Sequence, residues 1–181
     1  MRAFASIEPD EELLSKVYGL VDSSGPDGIR IVEKDKLHLT LLFMGNAQRG
    51  GLESLSKMIE LEHFGKFNIC LRGFDVFTRS NPRVLFAKVV EGATALGEIH
   101  DRLASMASEC GIAFDGKQFA PHLTVGRFAG RVEKAELDKF IDSFEDTALG
   151  CFTCKTIKLK KSEFLGGKSV YSDIYVKDFD G

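Results

Sequence analysis

The sequence predicts an α+β fold of two duplicated lobes that face each other across a central cleft. Strand-like and helix-like segments interleave along the 181 residues. Strand pairs joined by short turns are frequent, which favours mostly antiparallel sheets with helices on the outside over a doubly wound parallel sheet. The motif His-Leu-Thr also occurs twice, at His38 and at His122, 84 positions later. Because this spacing is almost half of the chain, we interpret residues 1–181 as one bilobal domain with an approximate two-fold axis.

The periodicity of apolar residues predicts each element of the first half in turn. Alternation over 2–7 predicts an opening strand, and helical spacing predicts a helix over 10–21. The Gly- and Pro-containing run at 23–28 ends that helix. The remaining predicted elements of this half are strands 29–32 and 37–43, a loop at 45–51, a helix over 52–63 and a hairpin of strands 67–77 and 82–90.

The second half repeats this alternation of helices and strands. Its pattern predicts a helix over 93–110, a strand over 119–128 and a helix over 132–144. Two long strands then close the chain, and a Gly-rich connection at 165–168 links them as a hairpin. These strands are expected at 151–164 and 169–177.

Composition and charge limit the classes of protein that this chain can belong to. Hydrophobic residues make up 44% of it and include 15 Phe, enough to build a globular core. With 24 Lys and Arg against 27 Asp and Glu, it lacks the basic excess of a protein that binds nucleic acid through bulk electrostatics. The first residues contain no secretion signal. We expect a cytoplasmic monomer that does not associate with membranes.

The four cysteines are sparse and irregularly spaced, which favours reduced thiols over a disulfide framework. Cys151 and Cys154 match a Cys-x-x-Cys pattern, but they lie in a predicted strand, where positions three apart face opposite sides. Cys70 and Cys110 form no second pair of this kind. We therefore expect no structural zinc site.

The repeated motif carries the candidate chemistry. His-Leu-Thr occurs at 38–40 and again at 122–124, and each copy lies in an apolar, strand-like run. Side chains two apart in a strand point to the same face, about 7 Å from each other. His38 and Thr40 therefore share one face, as do His122 and Thr124. A single such pair is most often structural, but two copies that use two of only four histidines argue against coincidence.

Two imidazoles and two hydroxyls around one cleft suit a phosphate ester. One neutral imidazole can take a proton from water while the other, protonated, donates to the leaving oxygen. Both forms are accessible near neutral pH because the ordinary pKa of histidine is about 6.5. The hydroxyls of Thr40 and Thr124 can donate hydrogen bonds to non-bridging phosphate oxygens. This chemistry requires no metal and no cofactor.

The chain resembles the two-histidine phosphoesterase superfamily, which is marked by paired His-x-Thr-x motifs. Within it, the chain is similar to the RNA 2′,3′-cyclic phosphodiesterases, which are also called 2′-5′ RNA ligases. The likeness covers almost the whole chain. It includes segment 2–7, the motifs within 37–45 and 119–127, the Pro-Arg-Val-Leu-Phe segment from Pro82, and Ser162, Gly167 and Tyr171.

The resemblance implies hydrolysis of a terminal 2′,3′-cyclic phosphate of RNA to a 2′-phosphate. It assigns His38 as the general acid that protonates O3′ and His122 as the general base that activates water. Thr40, Thr124 and Arg127 would hold the phosphate. With a ribose hydroxyl in place of water, the reverse ester transfer would join RNA ends as a 2′-5′ ligase.

Arg127 raises a problem of side-chain direction. In an unbroken strand it would point away from His122 and Thr124, but a β-bulge near Gly126 would turn it into the cleft. An arginine at the edge of the lobe is the alternative. The equivalent position in the first copy is Phe43, which is a candidate for base stacking or for the core.

Base recognition is less defined by the sequence. Many relatives carry a tryptophan shortly before the first motif, whereas this chain has no tryptophan. Arg30 lies in that region and is a candidate for RNA contact or a solvated surface residue, and Tyr171 is a further candidate contact. A small cyclic nucleotide or a 2′-5′ oligonucleotide is an alternative substrate. A non-catalytic module that binds RNA ends is the alternative outside enzymology.

Overall fold

Nine strands and four α-helices make up the fold in the computed structural model, which describes residues 1–181. The strands are β1 (Arg2–Ile7), β2 (Ile29–Ile31), β3 (Leu39–Asn46), β4 (Phe67–Val76), β5 (Val84–Glu91), β6 (His122–Phe128), β7 (Ala148–Cys154), β8 (Thr156–Leu165) and β9 (Lys168–Asp178). The helices are α1 (Glu11–Ser24), α2 (Arg49–Leu61), α3 (Ala93–Glu109) and α4 (Lys134–Ser143). None of the helices combines the length and apolarity needed to cross a membrane.

All strands belong to one antiparallel sheet with the order β7-β4-β5-β6-β3-β1-β8-β9, and the short β2 pairs with β6. The predicted α+β class with a mostly antiparallel sheet is confirmed. We call β3, β1, β8 and β9 the first lobe and β7, β4, β5 and β6 the second lobe. The lobes meet where β3 pairs with β6 through a single residue pair, Leu39 and Leu123.

The two halves of the chain share one order of elements but exchange their helices. Apart from the short β2 between α1 and β3, the order strand, helix, strand, helix, strand describes both β1-α1-β3-α2-β4 and β5-α3-β6-α4-β7. However, α1 follows a strand of the first lobe and packs against β6 and β7 of the second, whereas α3 packs against β3 of the first. Each lobe is therefore built from both halves of the chain.

The predicted strand 151–164 is wrong, because it is two strands with a break at Lys155. β7 lies at one end of the sheet and pairs with β4, whereas β8 lies near the other end and pairs with β1. A single intervening residue spans only about 7 Å, so the two ends of the sheet must lie close together. The sheet is therefore curled. Apolar and polar residues alternate on both sides of Lys155, so the sequence does not indicate that the chain changes its partner strand from β4 to β1 there.

Smaller differences concern where elements begin. The predicted loop 45–51 is shorter, because β3 extends to Asn46 and α2 begins at Arg49. β6 begins at His122 rather than at 119. The predicted hairpin connection at 165–168 is confirmed as a two-residue turn, and both Gly166 and Gly167 have positive φ. Such φ values at both central positions are what a type I′ turn requires.

The expectation that all cysteines are reduced is also wrong, because Cys70 and Cys151 form a disulfide. These residues lie directly opposite each other on β4 and β7. The bond joins positions 81 residues apart, which only the strand register brings together. Cys110 and Cys154 are free.

Candidate active site

The single β3–β6 pair brings both His-Leu-Thr motifs into contact. Leu39 and Leu123 are opposite each other and buried, so the flanking residues lie opposite each other on the other face of the sheet. In this antiparallel register, His38 is opposite Thr124, and Thr40 is opposite His122. Directly opposite Cβ atoms lie about 5 Å apart and diagonal ones about 7–8 Å apart. The two imidazoles therefore occupy diagonal corners, with the hydroxyls at the other two.

Both imidazoles are held in the same way by the backbone. The Nδ1 atom of His38 lies 2.8 Å from the carbonyl oxygen of Lys36, and that of His122 lies 2.7 Å from the carbonyl oxygen of Ala120. Since a carbonyl only accepts, Nδ1 must carry the hydrogen in each ring. The remaining nitrogen, Nε2, is then the one that exchanges a proton with a substrate.

Matching β-bulges follow both motifs. In β6 the pairing with β5 skips Val125, and in β3 the pairing with β1 skips Leu41. Each extra residue reverses the alternation, so that Arg127 and Phe43 are exposed on the face that bears the threonines. Arg127 lines a cavity together with His38 and Thr124. The bulge near Gly126 is therefore present, at Val125, and Arg127 points into the cleft.

The cleft consists of two adjoining cavities. The first, of about 390 Å³, contains His38, and we call it the His38 cavity. The second, of about 430 Å³, contains His122, and we call it the His122 cavity. Thr40 and Phe43 line both cavities and so mark their junction. The site that the motifs form is therefore open on two sides.

Aromatic rings position each histidine. The His38 ring stacks on Phe4, with centroids 4.9 Å apart, and meets the edge of Tyr171 at 5.7 Å. The His122 ring meets Phe77 edge-on at 4.8 Å and Phe86 at 5.3 Å. With one nitrogen bonded and the ring packed, each imidazole has little freedom to rotate. Both are therefore preorganised.

Burial lowers the pKa of both histidines, because it disfavours the charged imidazolium. The Arg127 guanidinium acts in the same direction on both rings, and Lys160 does so on His38. The backbone hydrogen bonds at Nδ1 oppose this effect, and so does Glu8 at His38. Both imidazoles are therefore mostly neutral at neutral pH in the absence of substrate.

The other candidate contacts divide between the cavity and the surface. Tyr171 lines the His38 cavity, and Phe43 stands 39% exposed at the junction with the Arg2 guanidinium over its ring. Arg30 is opposite Arg127 on β2 but is not among the residues that line either cavity.

Several site residues were missed from the sequence. The His38 cavity also contains Arg2, Phe4, Val32, Lys36, Ser162 and Ser169. The alternation of β1 was a usable signal for two of these, because Arg2 and Phe4 lie on one face of a predicted strand. His100 lines the His122 cavity, and its Nδ1 lies within hydrogen-bond distance of the backbone carbonyl of Leu41. No group of three or more His, Cys, Asp or Glu residues is arranged to hold a metal ion.

Comparison with known proteins agrees with this fold. Residues 15–163 match the family model described as the 2′-5′ RNA ligase superfamily. The match spans well over half of the chain. The protein therefore belongs to the 2′-5′ RNA ligase superfamily, within the two-histidine phosphoesterases.

Relatives match over nearly their full length. The RNA 2′,3′-cyclic phosphodiesterase of Methanothermobacter thermautotrophicus is 28% identical over 184 residues, with 97% of each chain covered. That of Aeropyrum pernix is 27% identical over 166 residues, covering 90% of this chain and 94% of its own. The crystal structure of apo E. coli LigT is similar with a TM-score of 0.82 at 22% identity, covering 99% of this chain and 98% of its own. This structural likeness supports the fold.

Proposed function

We propose that this protein is an RNA 2′,3′-cyclic phosphodiesterase that opens a terminal cyclic phosphate to leave a 2′-phosphate, without a metal ion. The observation that carries the proposal is the pairing of the motifs at Leu39 and Leu123. It sets two imidazoles, each with Nδ1 bonded to the backbone, at diagonal corners of one cleft. The names of the relatives support the same reaction.

The reaction uses the two histidines in opposite protonation states. Neutral His122 accepts a proton at Nε2 from a water molecule, and the water oxygen attacks the phosphorus. Protonated His38 donates its Nε2 proton to O3′ as the P–O3′ bond breaks. The 2′-phosphate remains on the ribose, and a proton returns from His122 to His38 through solvent before the next cycle.

Three further side chains stabilise the phosphate. The hydroxyls of Thr40 and Thr124 occupy the remaining corners and donate hydrogen bonds to the non-bridging oxygens. The Arg127 guanidinium neutralises the charge that accumulates on these oxygens in the transition state. Because the strands hold these groups before substrate arrives, little reorganisation is required during the reaction.

The assigned roles also orient the substrate. O3′ is the leaving oxygen and lies beside His38, so the ribose that bears it lies on the His38 side of the phosphorus. The terminal nucleotide therefore occupies the His38 cavity, with Tyr171 and Phe43 as aromatic contacts. Arg30, opposite Arg127 but outside the cavity, would contact a more distant phosphate or base of the RNA.

The direct test uses an RNA that ends in a 2′,3′-cyclic phosphate, in the presence of EDTA. We expect conversion to the 2′-phosphate by the wild type, and at least about a 10²-fold lower turnover for His38→Ala and for His122→Ala. His63→Ala is the matched control, because the His63 imidazole is exposed and its hydrogen-bond partner is Asp180, far from both motifs in the sheet. Product analysis by mass spectrometry and gel mobility measures the rate.

The outcomes separate the alternatives. Full activity of the double variant His38→Ala/His122→Ala would refute the mechanism. Activity that EDTA abolishes and zinc restores would refute its metal independence. Faster turnover of a small cyclic nucleotide or a 2′-5′ oligonucleotide would change the substrate class but not the chemistry. Binding of RNA ends without turnover would indicate a non-catalytic module.

We further propose a cytosolic monomer, which size-exclusion chromatography and cell fractionation test.

A further inference from the structure

The His122 cavity is much larger than hydrolysis requires. Its volume is about 430 Å³, whereas a water molecule occupies about 30 Å³ in the liquid. The attacking water needs only a position beside the Nε2 atom of His122. The remaining space lies on the side of the phosphorus opposite His38, which is the side from which a nucleophile attacks in line with the departing O3′.

Aromatic rings line this space. Phe119 stacks on His100, with ring centroids 4.4 Å apart and an angle of 8° between the planes. His100 is held by its Nδ1, 2.7 Å from the carbonyl oxygen of Leu41. Phe77 stands 57% exposed against the His122 ring, and Phe43 is exposed at the junction of the cavities. The cavity thus offers flat rings to a planar ligand.

The rim of the cavity is polar and exposed. The segment from Asp115 to Gln118 forms one side, and the backbone N–H of Asp115 donates to the carbonyl oxygen of Phe43 within β3. Lys117 extends into solvent and pairs with Asp115 at 3.2 Å. An aromatic interior with a cationic side chain at the mouth matches a nucleoside that continues into a phosphodiester chain.

We propose that the His122 cavity binds the 5′-terminal nucleoside of a second RNA strand, whose 5′-hydroxyl takes the place of water. This inference rests on the proposed function and adds the acceptor site for strand joining. Phe119 and His100 form the stacking platform for the base. Lys117 meets the first phosphate of the acceptor strand.

The joining step balances without a co-reactant. The O5′ atom of the acceptor attacks the phosphorus and gives its proton to Nε2 of His122. The P–O3′ bond breaks, and O3′ takes a proton from His38. The product is a 2′-5′ phosphodiester with a free 3′-hydroxyl, and the same two histidines serve both nucleophiles.

The test measures hydrolysis and joining in one reaction. The donor is an RNA with a 2′,3′-cyclic phosphate end, and the acceptor is an oligoribonucleotide with a 5′-hydroxyl at varied concentration. Phe119→Ala removes one stacking contact with the base, and we expect it to raise the acceptor KM at least about fivefold. Hydrolysis without acceptor stays within about twofold of the wild type, because the Phe119 ring stacks on His100 and is not among the rings that contact His38 or His122.

Two further variants test whether acceptor binding needs the aromatic ring of Phe119 or only its apolar volume. Phe119→Leu keeps the apolar volume but lacks the ring, and we expect it to lose acceptor binding as Phe119→Ala does. Phe119→Tyr keeps the ring and restores the wild-type acceptor KM. Leu61→Ala, at an 81% exposed residue of α2 outside both cavities, is the control and changes neither reaction.

The outcomes distinguish this inference from the proposed function. Absence of hydrolysis by the wild type would refute the phosphodiesterase itself. Hydrolysis without any joining at saturating acceptor, or joining whose acceptor KM is the same in Phe119→Ala and Phe119→Leu as in the wild type, would refute only the acceptor site. A parallel loss of hydrolysis and joining in these variants would also refute it, because Phe119 would then support the whole cleft.

Discussion

His38 and His122 have the same local chemistry but different surroundings. Both donate Nδ1–H to a backbone carbonyl two residues earlier, and both are buried enough to lower their pKa. His38 packs between Phe4 and Tyr171, whereas His122 meets the edges of Phe77 and Phe86. The motif therefore determines the tautomer of each ring, and the neighbouring strands determine what each ring can reach.

The lowered pKa values predict a pH profile displaced to the acidic side. Activity needs His122 neutral, so kcat/KM rises with pH through the lower limb, and it needs His38 protonated, so kcat/KM falls through the upper limb. Because burial lowers both pKa values, we expect the maximum of kcat/KM below about pH 6.5. The apparent pKa values of the two limbs belong to the pair of histidines rather than to either residue. A maximum well above this value would contradict the assigned protonation states.

Arg127→Gln provides the control for this profile. The Arg127 charge lowers the pKa of both histidines, so its removal raises both and moves the two limbs to higher pH. Loss of the charge beside the phosphate should also reduce kcat/KM by about 10²-fold. An unchanged profile would place Arg127 outside the site.

The bulges of β3 and β6 decide which side chains follow each histidine into the cleft. Without the extra residues at Leu41 and Val125, Phe43 and Arg127 would point into the core. The same irregularity thus directs an aromatic ring on one strand and a guanidinium on the other. The difference between the two sides of the cleft comes from the residue type, not from the backbone.

Gly126, directly after the β6 bulge, has no room for a side chain. A Cβ atom there would lie 2.3 Å from Cδ1 and 2.6 Å from Cγ1 of Ile29 on β2. We therefore expect Gly126→Ala to reduce the free energy of unfolding by about 1–3 kcal/mol, as overpacking does. It should also lower kcat/KM, because a shift of β6 moves Arg127. Urea denaturation and initial rates measure the two effects.

The clash with Ile29 can be tested by a second substitution. Ile29→Ala in the Gly126→Ala background removes both clashing atoms. The double variant should therefore lose less free energy of unfolding than the sum of the losses in the two single variants. Gly97→Ala is the control, because no atom lies within 4 Å of its Cβ position. It should stabilise helix α3 by up to about 1 kcal/mol. Simple additivity of Gly126→Ala and Ile29→Ala would refute the clash.

The whole molecule is built on one curled sheet, in which Lys155 connects β7 at one end to β8 near the other end, and its lobes share helices. α1 follows β1 of the first lobe but packs on β6 and β7 of the second, so neither lobe has its complete core without the other half of the chain. The cleft between the lobes is therefore supported from both sides. The Cys70–Cys151 disulfide adds a covalent link between β4 and β7, outside both cavities.

Reduction of this disulfide should affect stability but not catalysis. Release of a link across 81 residues is expected to lower the free energy of unfolding by about 2–4 kcal/mol. Thermal melts with and without dithiothreitol measure the shift in melting temperature. The number of thiols titrated in the unfolded protein should rise from two before reduction to four after it. The kcat/KM below the melting temperature should not change.

Cys70→Ser/Cys151→Ser is the matched control for the reductant. Its melting temperature should equal that of the reduced wild type and should not respond to dithiothreitol. A wild type that exposes four thiols before reduction would refute the disulfide.

Prediction from the sequence succeeded where the signal lay within one element. The periodicity of α1 and α3 and the Gly166-Gly167 turn were local, and the structure contains all three. The strand 151–164 failed because alternation does not record which partner a strand pairs with. The disulfide was missed for the same reason, since Cys70 and Cys151 meet only through the register of β4 and β7.

The amino-acid sequence is enough to predict much of the chemistry at the cleft. Two copies of His-Leu-Thr, with Leu between the polar residues, suffice to place the imidazole and the hydroxyl on one strand face, because that face follows from a period of two. The tertiary structure alone decided how the copies meet. One residue pair sets the diagonal geometry of the histidines, the bulges turn Phe43 and Arg127 inward, and distant segments form two cavities rather than one. These features depend on pairing between strands far apart in the chain, to which local patterns are insensitive.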